Sequence, residues 1–309
     1  MDYNTVIANR YNSNVFFNSP SLKAPESISV VKNLYINETI PFFSIVIPIH
    51  NQQDIITRTV KGIFDNTTEK HYEILLLLDS CSDDTENKLL EFIDSITLPN
   101  LLVNFVVIRS DTPLFETMCD NILFLCSRGD FIIEVQADIE ITTPGYNMKL
   151  QLPFKIRKDI LMVSGRACLN LFDYSKAIGK IGNYNELPLS KDIALDKFYI
   201  GEICIRGPVV IDKKKLIELK YLDEVNFYLG DDDVNICIRA YNEFNYIVGY
   251  VPIEYNSPLY WGSTRKQMNE DNKKFFEHLK KVCKKDMNDV INKYKLLNPV
   301  PREIYNINL

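Results

Sequence analysis

Several acidic or polar segments stand where apolar runs end, and each could do chemistry. In GDDDVNICIRAY, residues 230–241, Asp231, Asp232 and Asp233 are consecutive carboxylates that lead into an apolar segment. A helix dipole accounts for an acid at a helix start, but three are more than a cap needs. Crowded like charges raise a carboxylate's pKa, which suits a general base; the same crowding can also gather a metal ion. In RGDFIIEVQADIEIT, residues 128–142, an apolar strand is expected to run out into Asp138 and Glu140. Carboxylates two apart on extended backbone face one side and could share a Mg2+ or Mn2+ ion, which prefers oxygen ligands. A solvated acidic strand edge has the same pattern.

Three further segments follow the same logic. In LLDSCSDDT, residues 77–85, Asp79 lies at a strand end, where its carboxylate could accept a hydrogen bond from a base or a sugar hydroxyl or organise an Asx turn; Asp83 is explained as a helix cap. In SIVIPIHN, residues 44–51, a buried run ends at Pro48 and opens into a polar loop, so Pro48 and Asn51 could border a ligand or simply end a strand and cap a helix. In SPLYWGSTRKQ, residues 257–267, the single tryptophan, Trp261, neighbours Arg265 and Lys266. Such a loop could stack on a sugar and hold a departing phosphate, and it is equally an ordinary basic loop.

The elements that must position these residues are legible as alternation. The runs FFSIVIPI, YEILLLL, LVNFVVI, DFIIEVQ and DILMVSG are apolar almost throughout, as expected of strands covered on both faces. Between the first two, DIITRTVKGIFDNT sets Ile56, Val60, Ile63 and Phe64 on one helical face. After the second, Asp83 and Glu86 have capping-box spacing ahead of Leu89, Leu90 and Ile93. An α/β fold with a parallel or mixed sheet follows, with ligands expected at the carboxyl ends of the strands. Residues 1–40 read as a leader with one strand in ISVVKNLYI. From about residue 165 the order is less regular, and residues 267–309 carry an amphipathic helix and tail.

Composition narrows the classes. A net charge of -6 provides no basic field for nucleic acid or anionic lipid. The seven cysteines show no metal spacing and read as free thiols of a reducing compartment, and no apolar stretch approaches the roughly 20 residues of a membrane span. The expectation is a cytoplasmic protein, compatible with peripheral contact at a membrane face through the terminal helix.

Taken in order, the segments over about residues 42–266 resemble the family 2 glycosyltransferases of the GT-A fold. The resemblance implies a mixed, mostly parallel central sheet with helices on both faces. Its donor half would be residues 41–145 and its acceptor half 146–266. Pro48, His50 and Asn51 match the family's base-touching turn, with His in place of the usual aromatic. Asp79 matches the base-contacting aspartate, with Leu78 where another often precedes it. Arg109 matches an arginine near the diphosphate and Asn121 the asparagine of an Ala-Arg-Asn-x-Gly helix, from which Asp120 and Leu123 depart. Gln136, Ala137 and Asp138 align with the metal motif, so Asp138 would touch donor and metal, with Glu140 compensating for Gln136. Asp232, Asp233 and Arg239 match the catalytic motif, preceded by Arg206, Gly207 and Pro208.

The implied reaction moves a sugar from a nucleoside diphosphate, UDP first among them, to a hydroxyl of a glycan, lipid-linked or small-molecule acceptor. Asp233 would serve as base, with Asp232 the alternative, in one inverting displacement assisted by Mn2+ or Mg2+. Two other readings compete. A nucleotidyltransferase would carry a glycine-rich loop after the first strand, which IPIHNQQD lacks. A non-catalytic sugar or nucleotide binder is suggested by Leu78, Gln136 and Asn235, which stand where the family more often has carboxylates. Oligomeric state leaves no mark in the sequence.

Overall fold

The apolar runs become strands of one large sheet. The computed structural model describes residues 1–9, 28–181, 185–192, 194–227, 229–257, 299–300 and 303–307. The chain opens with α1 (Tyr3–Asn9) and β1 (Ile28–Tyr35), then alternates through β2 (Phe43–Ile49), α2 (Ile56–Asn66), β3 (Tyr72–Asp79), α3 (Thr85–Ser95), β4 (Leu102–Ser110), α4 (Phe115–Cys126) and β5 (Phe131–Glu134). There follow β6 (Glu140–Ile141), α5 (Tyr146–Gln151), α6 (Pro153–Ile156), β7 (Ile160–Ser164), β8 (Ala167–Leu169), β9 (Ile178–Ile181) and β10 (Asn185–Glu186). The remainder is β11 (Lys197–Gly201), β12 (Ile203–Ile205), β13 (Val209–Asp212), α7 (Lys213–Glu218), α8 (Asp232–Phe244), β14 (Ile247–Tyr250), β15 (Tyr255–Asn256) and β16 (Ile304–Asn306).

Among the described residues the main sheet has the order β1-β4-β3-β2-β5-β13-β7-β14-β11-β16. β4, β3, β2 and β5 pair in parallel, as βα units with helical crossovers require. The rest of the sheet is mixed instead: β13 runs antiparallel between β5 and β7, β14 is parallel to β7, and β11 is antiparallel to both β14 and β16. The parallel character is therefore concentrated in the first half of the chain.

Strand periodicity divides the core between the two faces. Ile45, Ile47, Ile74 and Leu76 pack with Ile56, Val60 and Ile63 of α2 and with Leu89 and Ile93 of α3. Their neighbours Val46, Leu75, Leu77 and Ile132 pack on the other side with Cys119, Ile122 and Leu123 of α4 and Ile236 of α8. Each fully buried aliphatic side chain contributes roughly 1.5–3 kcal/mol. β3 is buried at every position, and β2 at every position but Pro48.

The first 40 residues contribute structure to this domain. β1 pairs antiparallel with β4 from Ile28↔Ser110 to Tyr35↔Asn104, and the Asn104 amide donates to the Tyr3 hydroxyl of α1 at 2.7 Å. At the other end β16 brings the last described segment back onto β11. The expected amphipathic helix lies in residues 258–298, outside the described residues. No described helix is long and apolar enough to cross a membrane, and the six described cysteines are free thiols.

Candidate active site

The loops at the carboxyl ends of β2 and β3 are fastened to each other. His50 Nδ1 donates to the Asp79 carbonyl at 2.7 Å, which leaves Nε2 to accept from the Asn51 amide at 3.4 Å. Asn51 has a left-handed backbone (φ 50°), and its side chain accepts from the Ser82 amide at 2.8 Å while donating to the Ser82 hydroxyl at 3.2 Å. The Gln52 amide donates to Thr85 Oγ1 at 2.8 Å and the Gln53 amide to Asp83 at 3.2 Å. Pro48, His50 and Asn51 thus share one braced rim with Asp79.

Asp79 itself is buried, and both of its oxygens are taken. Oδ1 accepts from the Leu114 amide at 2.7 Å and Oδ2 from the Phe115 amide at 3.0 Å, which ties β3 to the start of α4. Burial pushes its carboxyl up to about 6, against those two amides and the nearby His50. Arg109, at the end of β4, pairs with Glu86 at 3.3 Å and Asp111 at 3.1 Å on the same rim. Asn121 faces inward instead, bonding Leu222 and Glu224.

After β5 the backbone differs from the extended path expected. The strand ends at Glu134, and Ala137 and Asp138 form a turn in which the Ile139 amide donates to the Gln136 carbonyl at 3.0 Å. Asp138 and Glu140 therefore do not sit two apart on one strand. The buried Ala137 carbonyl accepts from Thr59 of α2 at 2.9 Å. Glu140 forms an ion pair with Arg58 of α2 and accepts from Asn256 at 3.4 Å. Asp138 is half-buried; burial raises its pKa and the charge of Arg166 lowers it.

Beneath this turn lies a buried ionic cluster. Arg206 is only 3% exposed and meets Asp120 at 2.6 Å, Glu134 at 2.8 Å, Glu116 at 3.8 Å and, in direct contact, Asp232. Thr117 also donates to Asp232 at 3.1 Å. Burial raises Glu134 to about 7 against the attraction of Arg206, and it raises Asp120 well above the usual carboxylate range with help from the Glu134 charge. Gln136 bridges from the turn, donating to Glu116 at 3.2 Å and accepting from Arg166. Gly207 is left-handed (φ 69°), and a Cβ there would come within 2.5 Å of Gln136 Cγ, so this close approach requires glycine.

Asp233 is half-buried in the first turn of α8 and accepts from the Val234 amide at 2.8 Å. Burial and the neighbouring Asp232 charge raise its carboxyl to about 7, against Arg206. Arg239 is fully buried and anchors α8, donating to the Leu219 and Tyr221 carbonyls at 2.7 Å each and to Asn235 at 2.9 Å. Trp261, Arg265 and Lys266 lie outside the described residues.

The chemistry of their oxygen atoms separates two groups of carboxylates as holders of a divalent cation. Oxygens of Glu116, Asp120 and Glu134 lie within 4.8 Å of one another, but Arg206 already supplies a cation to Asp120 and Glu134 there, and Gln136 occupies Glu116. That group fits a guanidinium. Asp138 makes no ion pair within 4 Å among the described residues, and Mg2+ is commonly held by one or two carboxylates with substrate phosphates completing the shell. Asp138 fits a cation on those terms, while Glu140 is engaged by Arg58.

Residues 44–170 match the family model described as Glycosyl transferase family 2. The match spans less than half of the chain, and over those residues the sequence is similar to glycosyl transferase family 2. The chain is similar to S. aureus TarS 1–349 in complex with UDP (TM-score 0.50, 13% identity), with 73% of this chain and 62% of that one covered. The same protein with UDP-GlcNAc aligns at TM-score 0.50 and 14% identity, over 77% of this chain and 65% of that one. GalNAc-T7 with UDP, GalNAc and Mn2+ aligns at TM-score 0.55 and 18% identity, over 71% of this chain and 43% of that one. The chain thus spans less than two thirds of the length of each, and the likeness is one of fold, GT-A. No curated protein sequence matches the chain significantly.

The matched segment contains Glu116, Asp120, Glu134 and Arg166, of which the motif comparison named only Asp120, and that as a departure. Their sequence signal is a charge inside an apolar run, Glu134 in FIIEV and Asp120 in MCDNILFLC, because a buried charge must find a partner.

Proposed function

We propose that this protein is a glycosyltransferase that moves a sugar from a nucleoside diphosphate sugar to an acceptor hydroxyl, with Asp233 as the base. The observation that carries the reading is the state of Asp233: a half-buried carboxyl at about 7, at the carboxyl end of the sheet. A base with that proton affinity is about half ionised at neutral pH and accepts a proton more strongly than an ordinary carboxylate. Asp232 is committed to Arg206 and Thr117, which favours Asp233 over its neighbour.

The family match and the fold shared with structures that hold UDP, UDP-GlcNAc or UDP with Mn2+ support a nucleotide-sugar donor, with UDP the first nucleotide to test. The braced rim of Pro48, His50, Asn51, Asp79 and Arg109 would border the nucleotide, and Ala137 and Asp138 the diphosphate. A bound Mn2+ or Mg2+ would neutralise charge on the departing diphosphate, with Asp138 as its protein ligand. Asp233 would take the acceptor's proton as its oxygen attacks the anomeric carbon from the face opposite the diphosphate. One displacement inverts the configuration there. The acceptor would be a glycan, lipid-linked or small-molecule hydroxyl presented by residues 146–266.

Asp233→Asn is the test. The substitution should lower kcat/KM for nucleoside diphosphate release by about 10²–10⁴-fold while donor affinity stays near wild type. Near-normal turnover would remove Asp233 from the reaction.

A further inference from the structure

We propose that Arg206 is the positioning residue of this site: its guanidinium pins the start of α8 to β5 and α4, and so presents Asp233 to the acceptor as a base. The inference rests on the reading of Asp233 as base and adds the device that places it. One planar group meets three elements. Nη1 donates to Asp120 of α4 and Glu134 of β5, and Nη2 contacts Asp232 of α8. Arg206 is itself fixed from outside, since its carbonyl accepts from Arg166 Nη1 at 3.3 Å. A lysine ammonium offers a single charged atom and cannot span these partners as the fork does.

Helix geometry carries the effect one residue further. Consecutive residues on a helix project about 100° apart. With Asp232 directed into Arg206, Asp233 is turned aside from the buried cluster, and it is only half-buried where Asp232 is 2% exposed. The Asp232 hydrogen bond from Thr117 holds the same helix start from α4. The left-handed Asp231 before it makes a sharp entry into α8.

The charged groups that face Asp233 come from every element that meets there. Asp232 on α8 and Glu116 on α4 raise its proton affinity, and Arg206 lowers it. Asp120 and Glu134 act on Arg206 from α4 and β5, and Cys237 lies further along α8. With Glu116 and Asp232 included, four carboxylates surround one guanidinium. Asp120 and Glu134 each spend one oxygen on Arg206 Nη1, so the four carboxylates share a single guanidinium. Any change in its balance should therefore be felt at Asp233.

The experiment is the pH profile of kcat/KM for nucleoside diphosphate release from the wild type and four variants. Asp232→Asn removes a negative neighbour, so the acid limb should move to lower pH by about half a unit to one unit. Arg206→Gln removes the positive neighbour, and the limb should move up by a similar amount. Arg206→Lys keeps the charge and should leave the limb in place, with kcat down about tenfold and the donor KM unchanged. A merely structural role would lower the rate at all pH values without moving any limb, and that result overturns the proposal. Should Arg206→Gln fail to fold, Arg206→Lys decides: a kcat lowered about tenfold with the donor KM unchanged supports the proposal, and a wild-type kcat overturns it. Asp233→Asn separates the two levels. An inactive Asp233→Asn with a wild-type kcat in Arg206→Lys rejects the positioning role alone, whereas an active Asp233→Asn rejects the base itself.

Discussion

Replacing Asp79 by alanine removes the carboxylate that accepts from two buried amides at the start of α4, those of Leu114 and Phe115 at 2.7 and 3.0 Å. An unsatisfied buried donor costs about 1–3 kcal/mol, so two set an upper bound of about 6 kcal/mol. Relaxation lowers this, since Phe115 is a non-glycine residue held at φ 62° and release of that strain returns about 1–3 kcal/mol. A net loss of about 2–4 kcal/mol is expected. At about 2–4 °C per kcal/mol for a domain of this order of size, the melting temperature should fall by on the order of 5–10 °C. Asp79→Asn keeps one acceptor but turns its amide toward the other N–H, and should fall between alanine and wild type. Thermal unfolding followed by far-ultraviolet circular dichroism near neutral pH measures this. A melting temperature within about 1 °C of wild type, with donor affinity alone reduced, would refute the clamp and restore Asp79 as a pure base contact.

Two further outcomes follow from the same geometry. Asp138→Ala should raise the divalent cation concentration needed for half-maximal activity by about tenfold or more, while Glu140→Ala leaves that titration unchanged because Arg58 holds Glu140. Equal effects would return Glu140 to the metal site. Glu134 binds its proton more tightly in the folded chain, at about 7 against an ordinary 4.5, so folding takes up a proton between those values. Stability from this group is then full below about 4.5 and is lost as pH rises through about 7. Glu134→Gln stays neutral throughout and should flatten that slope, gaining on wild type by at most about 3 kcal/mol above pH 7. Urea midpoints across the pH range check it, and parallel curves for the two proteins would contradict it.

The parallel first half of the sheet was legible because burial on both faces leaves a run with little polar interruption. FFSIVIPI, YEILLLL and LVNFVVI became β2, β3 and β4 with bounds close to the runs themselves. The stripe of Ile56, Val60, Ile63 and Phe64 became the buried face of α2. The later strands were harder to read because they are short and reverse direction. The apolar stretch IGEICIRGPVVI is divided among β11, β12 and β13, with a buried Glu202 that accepts from the Phe172 amide at the first break and the left-handed Gly207 at the second. Asp138 and Glu140 could be read as neighbours only while the backbone was taken as extended, and the turn at Ala137–Asp138 depends on long-range anchors such as Thr59 that local pattern does not contain. The ionic cluster around Arg206 joins residues from 116 to 232, so only its isolated charges were visible in the sequence.

The central claim, sugar transfer from a nucleoside diphosphate donor, is tested most directly by incubating the protein with a panel of nucleotide sugars, mixed glycan and lipid-linked acceptors and Mn2+, and assaying the phosphate product. The account predicts nucleoside diphosphate release that depends on acceptor and is lost in Asp233→Asn. Release of pyrophosphate instead, or thermal stabilisation by nucleotide sugars with no turnover in the presence of any acceptor, would contradict it.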